Sequence, residues 1–142
     1  MGLCLAASAC SGVVDVTAPS PSGTAAHECA KLIHDLPTQV DGLDQRAVTP
    51  ENALAGAWGD PPIVLRCGVG RPAGLRRDSR CPTINNVGWL AHHTDDGWLF
   101  TTIGRSAYVE VRVPADYQPA SDALVDLAAV IKAQTSWPHP CK

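Results

Sequence analysis

Basic residues are scarce in this sequence, and their scarcity excludes one broad class of function. Eleven Lys and Arg stand against 14 Asp and Glu, which gives a net charge of −3 and a pI near 5.9. A protein that binds nucleic acid needs a basic surface that neutralises phosphates. We therefore expect no nucleic-acid partner.

No apolar run in the sequence reaches the 20 or so residues that a membrane-spanning helix needs. Residues 1–10 instead resemble the second half of a secretory signal, and residues 7–10 (ASAC) resemble a bacterial lipobox whose cysteine receives lipid. Ala7 stands where a larger aliphatic residue is usual, and no Lys or Arg precedes the run, so we expect the true start to lie upstream. The alternative is an apolar tail without a targeting role.

We therefore predict an extracytoplasmic protein of the cell envelope. Cys10 is the predicted lipid attachment site, and that lipid would be its only membrane contact, at the outer face of the cytoplasmic membrane. Residues 11–23, rich in Ser, Pro and Gly, are predicted to form a tether, and residues 24–142 a single domain.

The sequence also lacks any C-x-x-C pair, the close spacing that is typical of zinc ligands. Without residues 1–10, four cysteines remain, and we predict two disulfides, which persist in oxidising compartments. Of the three connectivities we favour Cys67–Cys81, across a short polar loop, and Cys29–Cys141, which would fasten the C-terminal tail to the first helix.

No Gly-x-Ser-x-Gly elbow is present, and spacing gives no reason to pair the carboxylates Glu28, Asp60 and Glu110. We predict no cofactor. The leading hypothesis is a non-catalytic module that binds an envelope protein or a cell-wall component.

An alternative hypothesis is a metal-assisted hydrolase that uses His92, His93 and either Asp95 or Asp96. Adjacent strand residues point to opposite faces, so His92 and His93 cannot chelate one ion together from a regular strand. The two aspartates are also explained by a hairpin turn. We therefore predict no metal site.

Hydrophobic periodicity predicts an α+β fold: an antiparallel β-meander of about four or five strands, with an N-terminal and a C-terminal helix packed on it and disulfides as staples. Apolar stripes at helical spacing predict helices over 24–36, capped by Thr24, and over 119–135. Strands are predicted at residues 62–69, 84–93, 98–103 and 107–113, with a short edge strand near 14–16. Residues 52–58 are compatible with either a strand or a helix.

Glycines mark the predicted turns. Asp41-Gly42 is a turn signal, Asp96-Gly97 is the strongest hairpin signal, and Gly104-Arg105 fits a type II′ turn.

Two features are compatible with binding as well as with structure. The arginines of residues 70–82 could bind an anionic polymer or a lipid headgroup, although a solvated loop is the simpler interpretation. Trp58, in a Gly- and Pro-rich turn, could line a ligand groove or cover the edge of the core.

Residues 58–69 (WGDPPIVLRCGV), 87–89 (VGW) and 101–114 (TTIGRSAYVEVRVP), with Cys29-Ala-Lys-Leu before Leu36-Pro37, resemble one family. It is an actinobacterial family of small exported or lipid-anchored proteins, domain-of-unknown-function family thirty-five fifteen. The resemblance implies envelope localisation and transfers no active site. The candidate binding surface comprises Trp58, Asp60, Arg66, Arg105 and Tyr108.

Overall fold

The computed structural model describes residues 12–141, so Cys4, Cys10 and the predicted signal segment lie outside the described residues. Two helices and ten strands follow one another along the chain. They are β1 (Val14–Asp15), α1 (Gly23–His34), β2 (Gln39–Val40), β3 (Leu43–Arg46), β4 (Val48–Thr49), β5 (Ala55–Trp58), β6 (Ile63–Cys67), β7 (Thr83–Ile84), β8 (Val87–Thr94), β9 (Gly97–Thr102), β10 (Val109–Pro114) and α2 (Ser121–Gln134).

Eight strands form one antiparallel sheet in the order β2-β3-β5-β6-β10-β9-β8-β7, and β1 pairs with β4 in parallel. The α+β class is confirmed, but the predicted count of four or five strands is wrong. The sequence does not predict β2, β3 and β7 as separate strands, and β5 lies within residues 52–58, which it leaves open between strand and helix; all four are two to four residues long. Segments this short hold too few residues for alternation to be visible.

Both helices pack on one face of the sheet and cover the core. The predicted stripe of α2 is confirmed, since Leu124, Leu127, Ala128 and Ile131 are all buried. From α1, Cys29 and Leu32 are buried. Both helices are shorter than predicted, and Thr24 lies inside α1 rather than capping it.

Three two-residue turns link neighbouring strands. Asp41-Gly42 joins β2 to β3 with positive φ at both residues (52° and 71°), as a type I′ turn requires. Asn85-Asn86 joins β7 to β8, also with positive φ at both residues (48° and 65°). This turn interrupts residues 84–93, which the sequence predicted as one strand. The β8–β9 turn is one residue earlier than predicted: Thr94 pairs with Gly97, so the turn is Asp95-Asp96.

The predicted Gly104-Arg105 turn is wrong, because residues 103–108 form a six-residue connection from β9 to β10. This connection holds the C-terminal tail. The Ser106 N–H donates to the carbonyl of Ser136 (3.0 Å), and the His139 N–H donates to that of Gly104 (3.1 Å).

The structure contains two disulfides, as predicted, but their pairing is Cys29–Cys67 (Cα–Cα 5.4 Å) and Cys81–Cys141 (Cα–Cα 5.7 Å). The predicted pairing is wrong because it assumed that Cys67 and Cys81 flank neighbouring strands. Three strands separate β6 from β7, a distance of about 19 Å at the usual strand spacing. Cys67 instead faces α1 from the core side of β6.

Candidate functional site

The sheet face opposite the helices is an outer face on which polar and apolar side chains stand in two rows. Residues paired across antiparallel strands project to the same side. The first row, from β6 to β8, is Arg66, Glu110, Thr101 and Leu90. The second row is Val64, Arg112, Leu99 and His92.

The N-terminal arm, residues 12–21, lies against this outer face. The Val14 N–H donates to the carbonyl of Ala47 (2.9 Å) and the Val16 N–H to that of Thr49 (3.0 Å). Farther along the arm, the Arg66 guanidinium donates to the Thr17 carbonyl (3.0 Å). The segment expected as a tether is therefore extended and, from Gly12 onward, runs along the domain; the Gly12 carbonyl accepts a bond from Arg46.

A groove of about 570 Å³ opens between the arm and the outer face of β6 and β10. It extends from Val14–Thr17 to the β8–β9 turn and the end of β10. Three aspartates line it, and none of them is ion-paired with another residue of the described range. These are Asp15, Asp96 and Asp116.

The floor of the groove is an ion pair between Arg66 and Glu110. Arg66 Nε donates to Glu110 Oε1 (2.9 Å) and Nη2 donates to Oε2 (3.0 Å). The side chains are 25% and 14% exposed, respectively. Because the two charges neutralise each other, the charged groups left for a ligand are Arg112 and the three aspartates.

Two of the five predicted surface residues are buried. Trp58 is a core residue, fully buried, and its Nε1 donates to the carbonyl of Pro37 (2.9 Å). This geometry fits the alternative that Trp58 covers the core.

Arg105 is buried in the β9–β10 connection. It donates to the carbonyl and hydroxyl of Thr135 (3.1 and 3.2 Å) and to the carbonyl of Asn86 (3.3 Å). Its guanidinium carbon lies 5.1 Å from the centre of the Trp137 ring. Burial lowers the pKa of this guanidinium. Arg105 is thus placed to fasten the C-terminal tail.

The other three predicted residues are accessible but do not form one patch. Arg66 lies in the groove. Asp60 is exposed at the β5–β6 turn, where its Oδ1 lies 3.9 Å from Nη1 of Arg46. The half-buried Tyr108 hydroxyl lies 3.4 Å from Nη1 of Arg71.

Sequence reasoning missed Asp15, Arg112 and Asp116 as groove residues. A signal existed for Arg112, because the valines of β10 alternate with polar residues whose side chains must point away from the core. For the two aspartates the sequence carried no signal, since the arm and the β10 end meet only in the folded chain.

The histidine cluster is spread over two faces. His92 stands on the outer face, whereas the ring of His93 packs edge-on against Trp98 (4.8 Å between centroids). Within residues 12–141 no group of three His, Cys, Asp or Glu side chains is placed to hold a metal ion. In the same range, no helix has the length and apolar character that crossing a membrane requires.

No curated protein and no solved structure matches this chain. A family model, described as Protein of unknown function (DUF3515), matches residues 4–138, which is nearly the whole sequence. The chain therefore belongs to this family.

Proposed function

We propose that this protein is an exported, non-catalytic binding module of the cell envelope, and that it binds an envelope protein or a cell-wall component in the groove between the arm and the sheet. The observation that carries the proposal is the groove itself, about 570 Å³ with an apolar wall and unpaired charges. Binding sites typically combine concave apolar surface with a few placed polar groups.

The chemistry of the groove favours binding over catalysis. Its most buried charged groups, Arg66 and Glu110, satisfy each other through two hydrogen bonds. A general acid or base has to exchange a proton with a substrate, and a carboxylate held in a bidentate ion pair is poorly suited to this. Arg112 and the aspartates can instead contact a ligand that carries both charge signs.

Two further observations support an envelope location. The two disulfides indicate an oxidising, extracytoplasmic environment. The lipobox-like sequence ending at Cys10 supports lipid anchoring, which we include in the proposal. Cys10→Ser should then move the protein from the detergent phase to the aqueous phase, and equal partitioning of both forms would remove the anchor from the proposal.

The groove is tested by site-specific photocrosslinking in intact cells. A benzophenone amino acid at position 112 or 116 should form a defined adduct, whereas the same probe at exposed Val125 on α2 should not. Val64→Trp, which places an indole in the groove, should abolish the adduct while the protein stays folded. Adducts that form equally from all three positions, or that survive Val64→Trp, would argue against the groove.

A further inference from the structure

The loop between β6 and β7, residues 68–82, concentrates positive charge in an acidic protein. It contains four arginines and one aspartate, which give it a net charge of +3. The rest of the chain has a net charge of −6, and the whole chain a net charge of −3. All four arginines are exposed, and within the described residues none is ion-paired with a carboxylate. They are Arg71, Arg76, Arg77 and Arg80.

Both ends of this arginine loop are held by disulfides. Cys67 immediately precedes it and is bound to Cys29 on α1, and Cys81, near its end, is bound to Cys141 in the C-terminal tail. A loop that is already ordered loses little conformational entropy when it binds a ligand. The arginines therefore project from a backbone that is ordered before any ligand binds.

Hydrogen bonds order the interior of the loop as well. The Leu75 N–H donates to the Pro72 carbonyl (3.1 Å), and the Ser79 N–H donates to that of Arg76 (3.1 Å), so two successive turns form. Arg71 Nη2 bridges the first turn by donating to the Leu75 carbonyl (3.0 Å). The Arg71 side chain therefore donates hydrogen bonds. Within the described residues, no hydrogen bond involves the guanidinium groups of Arg76, Arg77 and Arg80.

A largely apolar cavity of about 410 Å³ lies between the arginine loop and the outer face of β8 and β9. The loop contributes Pro72 and Gly74, and the sheet contributes Leu90 and Leu99 together with the polar side chains of His92 and Thr101. Arg71 and Arg76 flank the cavity-lining turn in the sequence. Cationic groups beside an apolar cavity complement an amphiphile, a molecule that joins an anionic group to an apolar part.

We propose that the arginine loop binds anionic phospholipids at a membrane surface, a membrane contact that would be additional to the lipid predicted on Cys10. The guanidinium groups of Arg76, Arg77 and Arg80 take the phosphates through paired hydrogen bonds, and the cavity takes the apolar part of the lipid. A soluble anionic polymer would engage the same arginines and leave the cavity without a function, so the cavity favours the lipid. None of the groove residues is involved, so failure of this proposal leaves the proposed function intact, and the reverse also holds.

The test uses the full oxidised chain with Cys10→Ser, so that no attached lipid contributes. Binding to vesicles of equal parts phosphatidylglycerol and phosphatidylcholine is measured by co-sedimentation, and pure phosphatidylcholine vesicles report the contribution of the apolar N-terminus. Arg76→Gln with Arg77→Gln should weaken binding to the anionic vesicles about thirtyfold, since each arginine near an anionic surface contributes about fivefold. The matched control neutralises the exposed Lys31 and Lys132 on the helices and should change binding less than about threefold.

A second pair of variants tests the cavity. Leu99→Gln replaces an apolar side chain of its wall by a polar one and should weaken vesicle binding while retention on immobilised polyphosphate stays unchanged. Val125→Gln removes an exposed apolar side chain elsewhere and should change neither. Thermal melts establish that each variant is folded.

Three results would overturn the proposal: equal losses in the arginine and lysine variants, retention on polyphosphate without binding to anionic vesicles, or vesicle binding that Leu99→Gln leaves unchanged. The second of these would assign the loop to an anionic polymer.

Discussion

Arg66 and Glu110 lie directly opposite each other on β6 and β10 and form a two-point ion pair on the outer face of the sheet. The third nitrogen of the same guanidinium, Nη1, donates to the Thr17 carbonyl of the arm. One arginine therefore joins the two central strands and the arm, and it sets the floor and one wall of the groove together.

We predict that Glu110→Gln lowers the free energy of unfolding by about 1–2 kcal/mol, because it removes a charge-assisted pair and leaves the half-buried Arg66 without its carboxylate. Urea unfolding at neutral pH measures the loss. Arg112→Gln, on the same strand but exposed, is the control and should stay within about 0.5 kcal/mol of the native protein. If both variants lose the same amount, the pair does not stabilise the fold.

Asp41 provides a prediction that depends on pH. Burial raises the pKa of its carboxyl above 3.8, and the neighbouring Asp122 and Asp126 raise it further. The folded state then binds the proton more tightly than the unfolded state, so this group stabilises the fold below about pH 3.8 and loses that contribution as the pH rises through its folded pKa.

Asp41→Asn should therefore stabilise the protein at pH 7, by roughly 0.5 kcal/mol or less because the site is half-exposed. Asparagine also accepts the positive φ of this type I′ turn. Thermal melts should show the gain at pH 7 and none at pH 3. Asp95→Asn, in the β8–β9 turn, is the control, and a gain of equal size at both pH values would contradict the charge explanation.

The helices and the longer strands could be predicted because their patterns are local. The predicted helix over 119–135 corresponds to Ser121–Gln134, since its apolar stripe repeats over four turns. Val109, Val111 and Val113 face the core as their alternation predicted. Alternation along the predicted strand 84–93 puts Ala91 on the same core face as Trp89, yet Ala91 is exposed, because the outer part of β8 extends beyond the core.

The disulfide pairing and the groove could not be predicted, because both depend on which strands become neighbours. Cys67 and Cys81 are close in sequence, yet β10, β9 and β8 lie between their strands. The groove likewise requires the arm to fold back onto the domain. Backbone bonds to Ala47 and Thr49 and the side chains of Arg46 and Arg66 make this contact, and no local pattern encodes it.

The two disulfides should differ in their resistance to reduction. Cys29 and Cys67 are fully buried, whereas Cys81 and Cys141 are half-exposed. The bridged pairs are 38 and 60 residues apart in sequence, and such separations imply similar stabilisation of about 4 kcal/mol in the chain-entropy account. Differences in reduction therefore report burial rather than loop length.

We predict that limited reduction at neutral pH, followed by alkylation and peptide mapping, labels Cys81 and Cys141 first. The fully unfolded chain in denaturant serves as the control and should lose both bridges at similar rates. Earlier labelling of Cys29 and Cys67 in the native protein would contradict this order.

Arg105 should control how firmly the C-terminal tail is closed over the Cys81–Cys141 bridge. Its guanidinium donates to Thr135 and Asn86 and lies against Trp137, so Arg105→Ala removes three hydrogen bonds and a stacked cation at once. We expect a loss of about 2–3 kcal/mol in urea unfolding. Because the tail is released, Cys81 and Cys141 should also be reduced several-fold faster than in the native protein.

Two further variants separate the causes of this effect. Arg105→Met keeps an unbranched apolar stem but provides no donors, so it should recover part of the packing and not the hydrogen bonds. Arg112→Ala removes an exposed arginine and should leave the rate of reduction unchanged. If the bridge in Arg105→Ala is reduced no faster than the bridge in Arg112→Ala, the disulfide, the backbone hydrogen bonds to Gly104 and Ser106 and the Trp137 contacts hold the tail without Arg105.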